Sequence, residues 1–234
     1  MLAYMFIAYF WITVSLSSPL ALILWILDAA GFRAARSATG FIVRAWARSL
    51  VALVGIRAEV SGLDRIPRQG PICYISNHQG NFDIVLILAY LPGCIGFITK
   101  SQAVWAPFLN IWILALGGVF IDRRNIRSAH MAMKRGSARL QSGGVMAIFP
   151  EGTRSRGPSM GQFRNGSFKL ATKAGAVIVP VSIQGTYRIW EETGRLKPAA
   201  VSLRVHEPLA TRGIDLEGRK RLPEQVHQII DSGL

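Results

Sequence analysis

The first part of the chain is continuously apolar. Residues Leu2 to Leu27 carry no charge, and a helix of that length would extend roughly 39 Å at about 1.5 Å per residue, enough to cross the core of a bilayer. Polar and helix-breaking residues interrupt its middle, namely Ser15, Ser17, Ser18 and Pro19. The segment could span a membrane as one helix or dip into one leaflet as two. No Lys or Arg precedes it and it exceeds a signal-peptide core in length, so we expect it to be retained.

A second helical pattern follows from Phe32 to Val54. Its arginines share a sector of about 120° on a helical wheel, and apolar side chains take the opposite side; they are Arg33, Arg36, Arg44 and Arg48. This pattern predicts a basic amphipathic helix lying on a membrane surface. The alternative is a domain-packing helix whose charged face is solvated. Because the arginines follow the apolar run, the positive-inside rule predicts that the rest of the chain is cytosolic.

From Ile56 onward, short β-like runs alternate with helical patterns, which is typical of an α/β fold. The candidate strands are Ile56 to Val60, Ile72 to Ile75, Cys94 to Ile98, Gly118 to Ile121, Val145 to Phe149, Ala176 to Ile183 and Val201 to Val205. The candidate helices are Asp83 to Tyr90, Ala103 to Leu116, Ser128 to Gln141, Ser167 to Ala174 and Pro223 to Ile230, with Ser128 and Ser167 as N-caps. We therefore expect a mixed sheet of about seven strands flanked by helices, preceded by a membrane-associated helical segment. The predicted division is 1–55 and 56–234.

The composition indicates an anionic partner. Lys and Arg together number 27 against 13 Asp and Glu, so nucleic acid, an anionic membrane surface and phosphorylated substrates all qualify. A hydrophobic content of 50% favours the membrane over nucleic acid. The two cysteines, Cys73 and Cys94, lie in apolar runs and are expected to be reduced core residues. No Cys/His cluster has the spacing of a metal site, so no metal is expected.

Two short blocks contain the candidate chemistry. His78 and Asp83 stand five apart, directly after the run Ile72 to Ile75, and Glu151 and Arg154 follow the run Val145 to Phe149. Ligands of open α/β sheets gather at the carboxyl ends of strands. A histidine oriented by a carboxylate can serve as a general base for an alcohol, and an arginine offers a planar fork of donors to a phosphate. The combination indicates acyl-transfer chemistry.

In four ordered blocks the chain resembles the 1-acylglycerol-3-phosphate acyltransferases, which acylate lysophosphatidic acid to phosphatidic acid. The blocks are Asn77 to Asp83, Gly118 to Arg123, Phe149 to Ser155, and Val179 to Val181. The resemblance departs from the common pattern at Gly80, where Ser is frequent, and at Ser101, where Glu is frequent. It implies that residues 56–234 form a glycerolipid acyltransferase catalytic domain.

The resemblance also implies roles for single residues. The matching His78 would take the proton from the glycerol hydroxyl, and Asp83 would hold the imidazole. The positions implied to bind the substrate are Lys100, Arg123, Glu151, Gly152, Thr153 and Arg154. Arg123 could instead form an ion pair with Asp122 or Glu151. A carboxylate repels phosphate, so Glu151 could position an arginine or accept a bond from the glycerol. Val179 to Val181 would line the acyl pocket or simply be a core strand.

The expected reaction moves a fatty acyl group from an acyl thioester, acyl-CoA or acyl carrier protein, to the sn-2 hydroxyl of lysophosphatidic acid. No cofactor is expected, because the thioester is already activated. Other lysophospholipids or lyso-aminolipids are alternative acceptors. The expected partners are membrane lipids, a lysophospholipid and the acyl donor, without nucleic acid, and the expected location is the cytosolic face of a bacterial inner membrane.

Two rival classes fit part of the sequence. Gly157 to Gly161 has the G-x-S-x-G pattern of a serine hydrolase with Ser159 as nucleophile, and Asp215 and His227 follow in the appropriate order. However, a polar loop rather than a strand leads into that pattern, whereas the nucleophile elbow needs a strand. A nonenzymatic basic protein that binds nucleic acid or membrane is supported by charge alone and leaves the pair of His78 and Asp83 unexplained.

Overall fold

The computed structural model describes residues 1–122 and 124–234. Its strands are β1 (Arg57–Ser61), β2 (Ile72–Ser76), β3 (Ile95–Lys100), β4 (Val119–Ile121), β5 (Val145–Ile148), β6 (Val177–Gln184) and β7 (Ala200–Val205). Its α-helices are α1 (Leu2–Ala29), α2 (Arg33–Val54), α3 (Phe82–Tyr90), α4 (Leu109–Ala115), α5 (Ile126–Gln141), α6 (Asn165–Ala174) and α7 (Leu216–Asp231). Short 3-10 turns lie at Leu63–Arg65, Ser101–Trp105 and Thr186–Arg188.

The strands form one sheet in the order β1-β7-β6-β2-β5-β3-β4. Only the β6–β7 pair is antiparallel; every other neighbouring pair is parallel. The predicted mixed sheet of about seven strands is confirmed. Strands β6, β2, β5, β3 and β4 all run in the same direction, so their carboxyl ends meet at a single edge of the sheet. The candidate chemistry of the sequence follows those ends.

Helices cover both faces of the sheet. The central strand β2 is buried at every position, as expected for a parallel strand between two helical layers. Tyr74 belongs to a core shared with α1 to α4, whereas its neighbours Cys73 and Ile75 belong to a second core shared with α5, α6 and α7. Both cysteines are buried and unpaired, and burial raises the pKa of the Cys73 thiol to about 12.

Helix α1 is continuous through Pro19. A proline cannot supply the N–H that the carbonyl four residues earlier would accept, so Ser15 would lose its helical partner. The Ser18 hydroxyl donates to that Ser15 carbonyl at 2.8 Å. The serines therefore support the helix across the proline instead of dividing it. By length and composition both α1 and α2 could cross a membrane.

Three arginines on this face of α2 bond to protein groups, and the placement of the helix on a membrane surface stays a prediction. Arg48 Nε donates to the Ala89 carbonyl at 3.0 Å, and Arg44 Nη2 donates to Leu91 at 3.2 Å. These carbonyls end α3, where helical partners are missing and the helix dipole favours cations. Arg36 Nε bonds Asp28 at 2.9 Å, and Asp28 also pairs with Arg139 Nη1 at 2.6 Å. Arg33 is exposed.

Several predicted helix limits are wrong for local reasons. The helix predicted from Ala103 to Leu116 is two pieces, because Pro107 interrupts it and Phe108 has a φ of 63°. Helix α5 begins earlier than Ser128, since the Asn125 side chain accepts the Ser128 N–H at 3.1 Å and is the better cap. Helix α6 begins at Asn165 rather than after Ser167, and α7 begins at Leu216 and continues through Pro223.

The division at residue 55 falls at the end of α2, where Gly55 adopts a φ of 76°. The packing is continuous across it, because α2 contributes Val43, Ala47, Val51 and Val54 to the same core as Tyr74. A separate anchoring unit over residues 1–55 stays a prediction.

Candidate active site

His78 and Asp83 are in contact at the carboxyl end of β2. His78 lies in the turn after the strand, and Asp83 lies in the first turn of α3 with its side chain fully buried. The distance from His78 Nδ1 to Asp83 Oδ2 is 2.7 Å. Oδ2 also accepts the Gly80 N–H at 2.8 Å, and Oδ1 accepts the Thr186 hydroxyl. As a carboxylate Asp83 can only accept, so Nδ1 carries the hydrogen and Nε2 keeps its lone pair.

Two amide side chains fix the turn that holds His78. Asn77 exchanges hydrogen bonds with the backbone of Ile183 in β6, donating to its carbonyl at 2.7 Å and accepting its N–H at 2.8 Å. Gln79 accepts the Gly185 N–H at 2.8 Å. Both side chains are fully buried, and the amide oxygen of each accepts one of these backbone N–H groups. The end of β2 is thereby locked to the end of β6 on both sides of His78.

Glu151 supports the backbone of the same turn. Its Oε1 accepts the His78 N–H at 2.6 Å and its Oε2 accepts the Gly161 N–H at 2.9 Å. Burial raises the pKa of the Glu151 carboxyl above its ordinary value, and the bonds from Gly161 and His78 oppose that rise. Both oxygens are therefore engaged with main-chain donors, and the carboxylate braces the loop after β5 against the turn after β2.

An aromatic ring covers one face of the histidine. Phe149, directly after β5, stacks on His78 with ring centroids 4.0 Å apart and an interplanar angle of 12°. Phe97 of β3 lies behind it at 6.2 Å. The stack fixes the plane of the imidazole while 15% of the His78 side chain stays exposed. One edge of the ring can therefore meet a substrate.

The loop after β5 runs beside the histidine turn. Ser155 N–H donates to the His78 carbonyl at 2.8 Å, which brings Arg154 next to the site. Arg154 Nη1 bonds Glu191 Oε1 at 3.0 Å and the arginine side chain is 30% exposed. Gly152 has a φ of 74°, a left-handed conformation that favours glycine. Thr153 is exposed.

Lys100 lies farther along the same edge. It is exposed at the end of β3, adjacent to the end of β4 in the sheet. Arg123, which follows β4 in sequence, lies outside the described residues. The structure thus brings His78, Asp83, Glu151 and Arg154 together and puts Lys100 on the same sheet edge.

Sequence reasoning missed four contributors to this site: Asn77, Gln79, Thr186 and Glu191. The first two flank His78 and could have been noticed as polar residues beside a predicted buried strand. Thr186 and Glu191 lie more than a hundred positions away in the chain. No spacing rule connects them to His78, because only the pairing of β6 with β2 makes them neighbours.

The residues of the rival hydrolase pattern serve other purposes. Ser159 lies in an exposed loop, separated from the end of β5 by residues 149–158. Asp215 caps α7 by accepting the Gly218 N–H at 2.7 Å. His227 meets the ring of Phe163 edge-on at 4.9 Å. A strand does not run into the Ser159 turn, so the nucleophile elbow is not formed there.

Comparison with known proteins decides the family. The sequence model of the family described as Acyltransferase matches residues 57–184, which is the segment from β1 to the end of β6. The chain belongs to the acyltransferase family. The resemblance inferred from the four sequence blocks is confirmed.

Named relatives of this acyltransferase share one description. The chain is 35% identical over 62% of its length to the 1-acyl-sn-glycerol-3-phosphate acyltransferase of Borreliella burgdorferi, covering 58% of that protein. It is 29% identical over 81% of its length to the enzyme of that name from Haemophilus influenzae, covering 79% of it. The chain thus spans little more than half of the first of these curated relatives.

A solved structure extends the likeness beyond the family segment. The crystal structure of the 1-acyl-sn-glycerophosphate (LPA) acyltransferase PlsC from Thermotoga maritima superposes with a TM-score of 0.76 at 27% identity. The match covers 94% of this acyltransferase and 95% of that chain. It therefore includes the N-terminal helices as well as the sheet.

Proposed function

We propose that this acyltransferase transfers a fatty acyl group from an acyl thioester to the sn-2 hydroxyl of lysophosphatidic acid, giving phosphatidic acid. The observation that supports this most directly is the 2.7 Å contact between His78 and Asp83, next to the partly exposed side chain of Arg154. The names of the relatives support the same acceptor.

His78 is the general base of the proposed reaction. Its Nε2 takes the proton of the glycerol hydroxyl as that oxygen bonds to the thioester carbon. Asp83, already accepting the Gly80 N–H and the Thr186 hydroxyl, stabilises the imidazolium that forms. When the C–S bond breaks, the thiolate leaves and takes the proton back from His78. No covalent acyl-enzyme, metal or cofactor is part of this proposal.

Arg154 is proposed to bind the acceptor phosphate, with Lys100 adding positive charge at the same edge. The assignment of Arg123 to the phosphate stays a prediction. The assignments of Gly152 and Thr153 as substrate contacts stay predictions. For Glu151 we favour a positioning role, because its two oxygens accept the N–H groups of His78 and Gly161. Its charge then holds the turn instead of meeting the phosphate.

Helices α1 and α2 are proposed to attach the acyltransferase to the cytosolic face of a membrane. Large apolar side chains on α1 are exposed, with Leu16 at 80% and Tyr4 at 79%. Such a surface is costly in water and suits lipid. A substrate that resides in the bilayer would then reach the candidate active site without leaving the bilayer.

The deciding experiment assays the purified acyltransferase with lysophosphatidic acid, another lysophospholipid, a lyso-aminolipid and monoacylglycerol, each with acyl-CoA and with acyl carrier protein as donor. We expect acylation of the phosphorylated acceptor to dominate, and the better donor identifies the thioester. A preference for a lyso-aminolipid would move the proposal to that acceptor. Inactivity on all lysolipids would refute it.

A further inference from the structure

Glu191 lies outside all four sequence blocks, yet its carboxylate joins the two halves of the candidate site. It follows the Thr186–Arg188 turn, and its side chain is 3% exposed. Its Oε1 accepts the Asn81 N–H at 2.8 Å and Arg154 Nη1 at 3.0 Å. The same oxygen therefore bonds the turn that holds the base and the loop that holds the proposed phosphate ligand.

The second oxygen of Glu191 lies against Gly80. A Cβ at that position would come within 2.6 Å of Oε2. This oxygen is buried and has no hydrogen-bond partner among residues 1–122 and 124–234. A carboxylate in such surroundings is costly unless its charge is paired, and Arg154 provides the pairing. The absence of a side chain at Gly80 lets the carboxylate approach the turn this closely.

This arrangement leaves most of the Arg154 fork for a ligand. The guanidinium has five N–H donors, and within the part of the chain that the structure describes its side chain bonds only Glu191. A long side chain that is already oriented loses less conformational freedom when it binds a phosphate. Glu191 also repels a phosphate, but its charge is compensated by Arg154 itself, so the orienting effect should dominate.

We infer that Glu191 is a positioning residue that holds Arg154 against the turn of residues 78–83, in place for the phosphate of the acceptor, and thereby sets acceptor specificity. The inference rests on the proposed function and adds a residue to it. Glu191 does not take part in the chemistry, since its bonds go to Asn81 and Arg154 and none of the bonds it makes is to His78 or Asp83.

The kinetic test compares Glu191→Gln with Glu192→Gln. The neighbouring Glu192 forms an exposed pair with Lys197 and is a matched control. Glu191→Gln should raise KM for lysophosphatidic acid about tenfold with a much smaller change in kcat, and should lower monoacylglycerol turnover far less than it lowers kcat/KM for lysophosphatidic acid. Glu191→Asp keeps the charge and should recover part of the loss. A lower KM for lysophosphatidic acid, or equal losses on both acceptors, would overturn the inference.

A double-mutant cycle tests whether Glu191 acts through Arg154. In an Arg154→Ala background, Glu191→Gln should cause no further loss on lysophosphatidic acid, because the side chain that it positions is gone. Losses that multiply independently would show that Glu191 acts elsewhere and would contradict the inference.

Hydrogen exchange supplies a readout that needs no turnover. Glu191→Gln weakens the acceptor of the Asn81 N–H, so exchange in residues 78–83 should accelerate relative to Glu192→Gln, while the melting temperature changes little. Unchanged exchange would overturn the inference even in an active enzyme. Failure of the unmodified acyltransferase to acylate lysophosphatidic acid would instead count against the proposed function, and the exchange result would still decide whether Glu191 holds the turn.

Discussion

The N-terminal helix α1 and the carboxyl edge of the sheet depart from an ordinary soluble protein in opposite ways. On α1, apolar side chains are exposed, and Leu16 keeps 80% of its surface. At the sheet edge, polar side chains are buried, and Asp83 and Asn77 keep none. Exposed apolar area is stable only against another apolar phase, and buried polar groups only with complete hydrogen bonding. The first departure indicates a lipid partner, and the second a preorganised site.

If the two regions have separate purposes, mutations should separate them. Damage to the sheet edge should remove chemistry and leave membrane attachment, and damage to the exposed face of α1 should do the reverse. The predictions below test that separation, from the largest expected effect to the smallest.

The largest effect is expected from the base. His78→Ala should abolish acyl transfer, and Asp83→Asn should lower kcat by on the order of 10² to 10⁴ because the imidazolium loses its counter-charge. The asparagine can keep bonds to His78 and Thr186, so folding should survive. The assay is turnover with vesicle co-sedimentation in parallel, with exposed His130→Ala as control. Near-normal turnover of His78→Ala would contradict the mechanism.

Loss of the proposed phosphate ligand should be smaller and selective. A charge-assisted hydrogen bond is worth on the order of 1.5 to 3 kcal/mol, so Arg154→Ala should lower kcat/KM for lysophosphatidic acid by roughly ten- to a hundredfold. Arg154→Lys should recover only part of this kcat/KM, because lysine lacks the planar fork of donors. Turnover of monoacylglycerol by Arg154→Ala should change little. The control is Arg195→Ala at an exposed position, which should change neither activity. Equal losses on both acceptors would remove the acceptor assignment.

The exposed face of α1 should govern attachment. Ile12, Leu16 and Ile23 share one side of the helix and are 58%, 80% and 54% exposed. Changing all three to Gln should weaken vesicle binding by at least about tenfold, because each apolar side chain loses favourable burial in lipid. Activity on detergent-dispersed substrate should persist. The control is the same change at the exposed residues Leu63, Met131 and Leu216; equal weakening by the control would move the anchor away from α1.

The arginine face of α2 should affect stability instead of attachment. Arg44 donates to the Leu91 carbonyl at the end of α3, and Arg44→Gln should lower the free energy of unfolding by about 1 to 2 kcal/mol. Vesicle binding should be unchanged. Chemical denaturation and co-sedimentation of the same preparation measure both, and a selective loss of binding would favour the membrane-surface interpretation instead.

The smallest effect concerns His206, whose Nε2 lies 2.7 Å from the Ser182 hydroxyl. Burial, then the charges of Arg204 and Arg65, lower the pKa of His206 below its ordinary value of 6.5. When folding lowers the pKa of a histidine, the neutral side chain contributes to stability at pH values above its pKa in the unfolded chain. This contribution is lost as the pH falls below about 6.5. Unfolding of His206→Asn should lose this pH dependence, whereas exposed His130→Asn should retain it. Identical pH profiles for the original chain and His206→Asn would reject the assignment.

Much of the fold was predictable because its signals are local. The alternation of apolar strands and amphipathic helices gave all seven strands, with errors at helix limits where Pro107 or Asn125 acted within a few residues. The arginine face of α2 shows a limit of a different kind. Periodicity shows that Arg44 and Arg48 share a side of the helix, but the same side can face phospholipid or the carbonyl end of α3.

The sequence by itself determined that His78 and Asp83 form a pair, since they lie within one turn-and-helix unit whose spacing permits contact. It also determined the apolar character of α1. The tertiary structure decided which residues surround that pair. Thr186 reaches Asp83 and Glu191 reaches Arg154 only because β6 pairs with β2 in parallel. Contacts between segments so far apart in the chain depend on strand order, and strand order is fixed by the packing of the whole sheet.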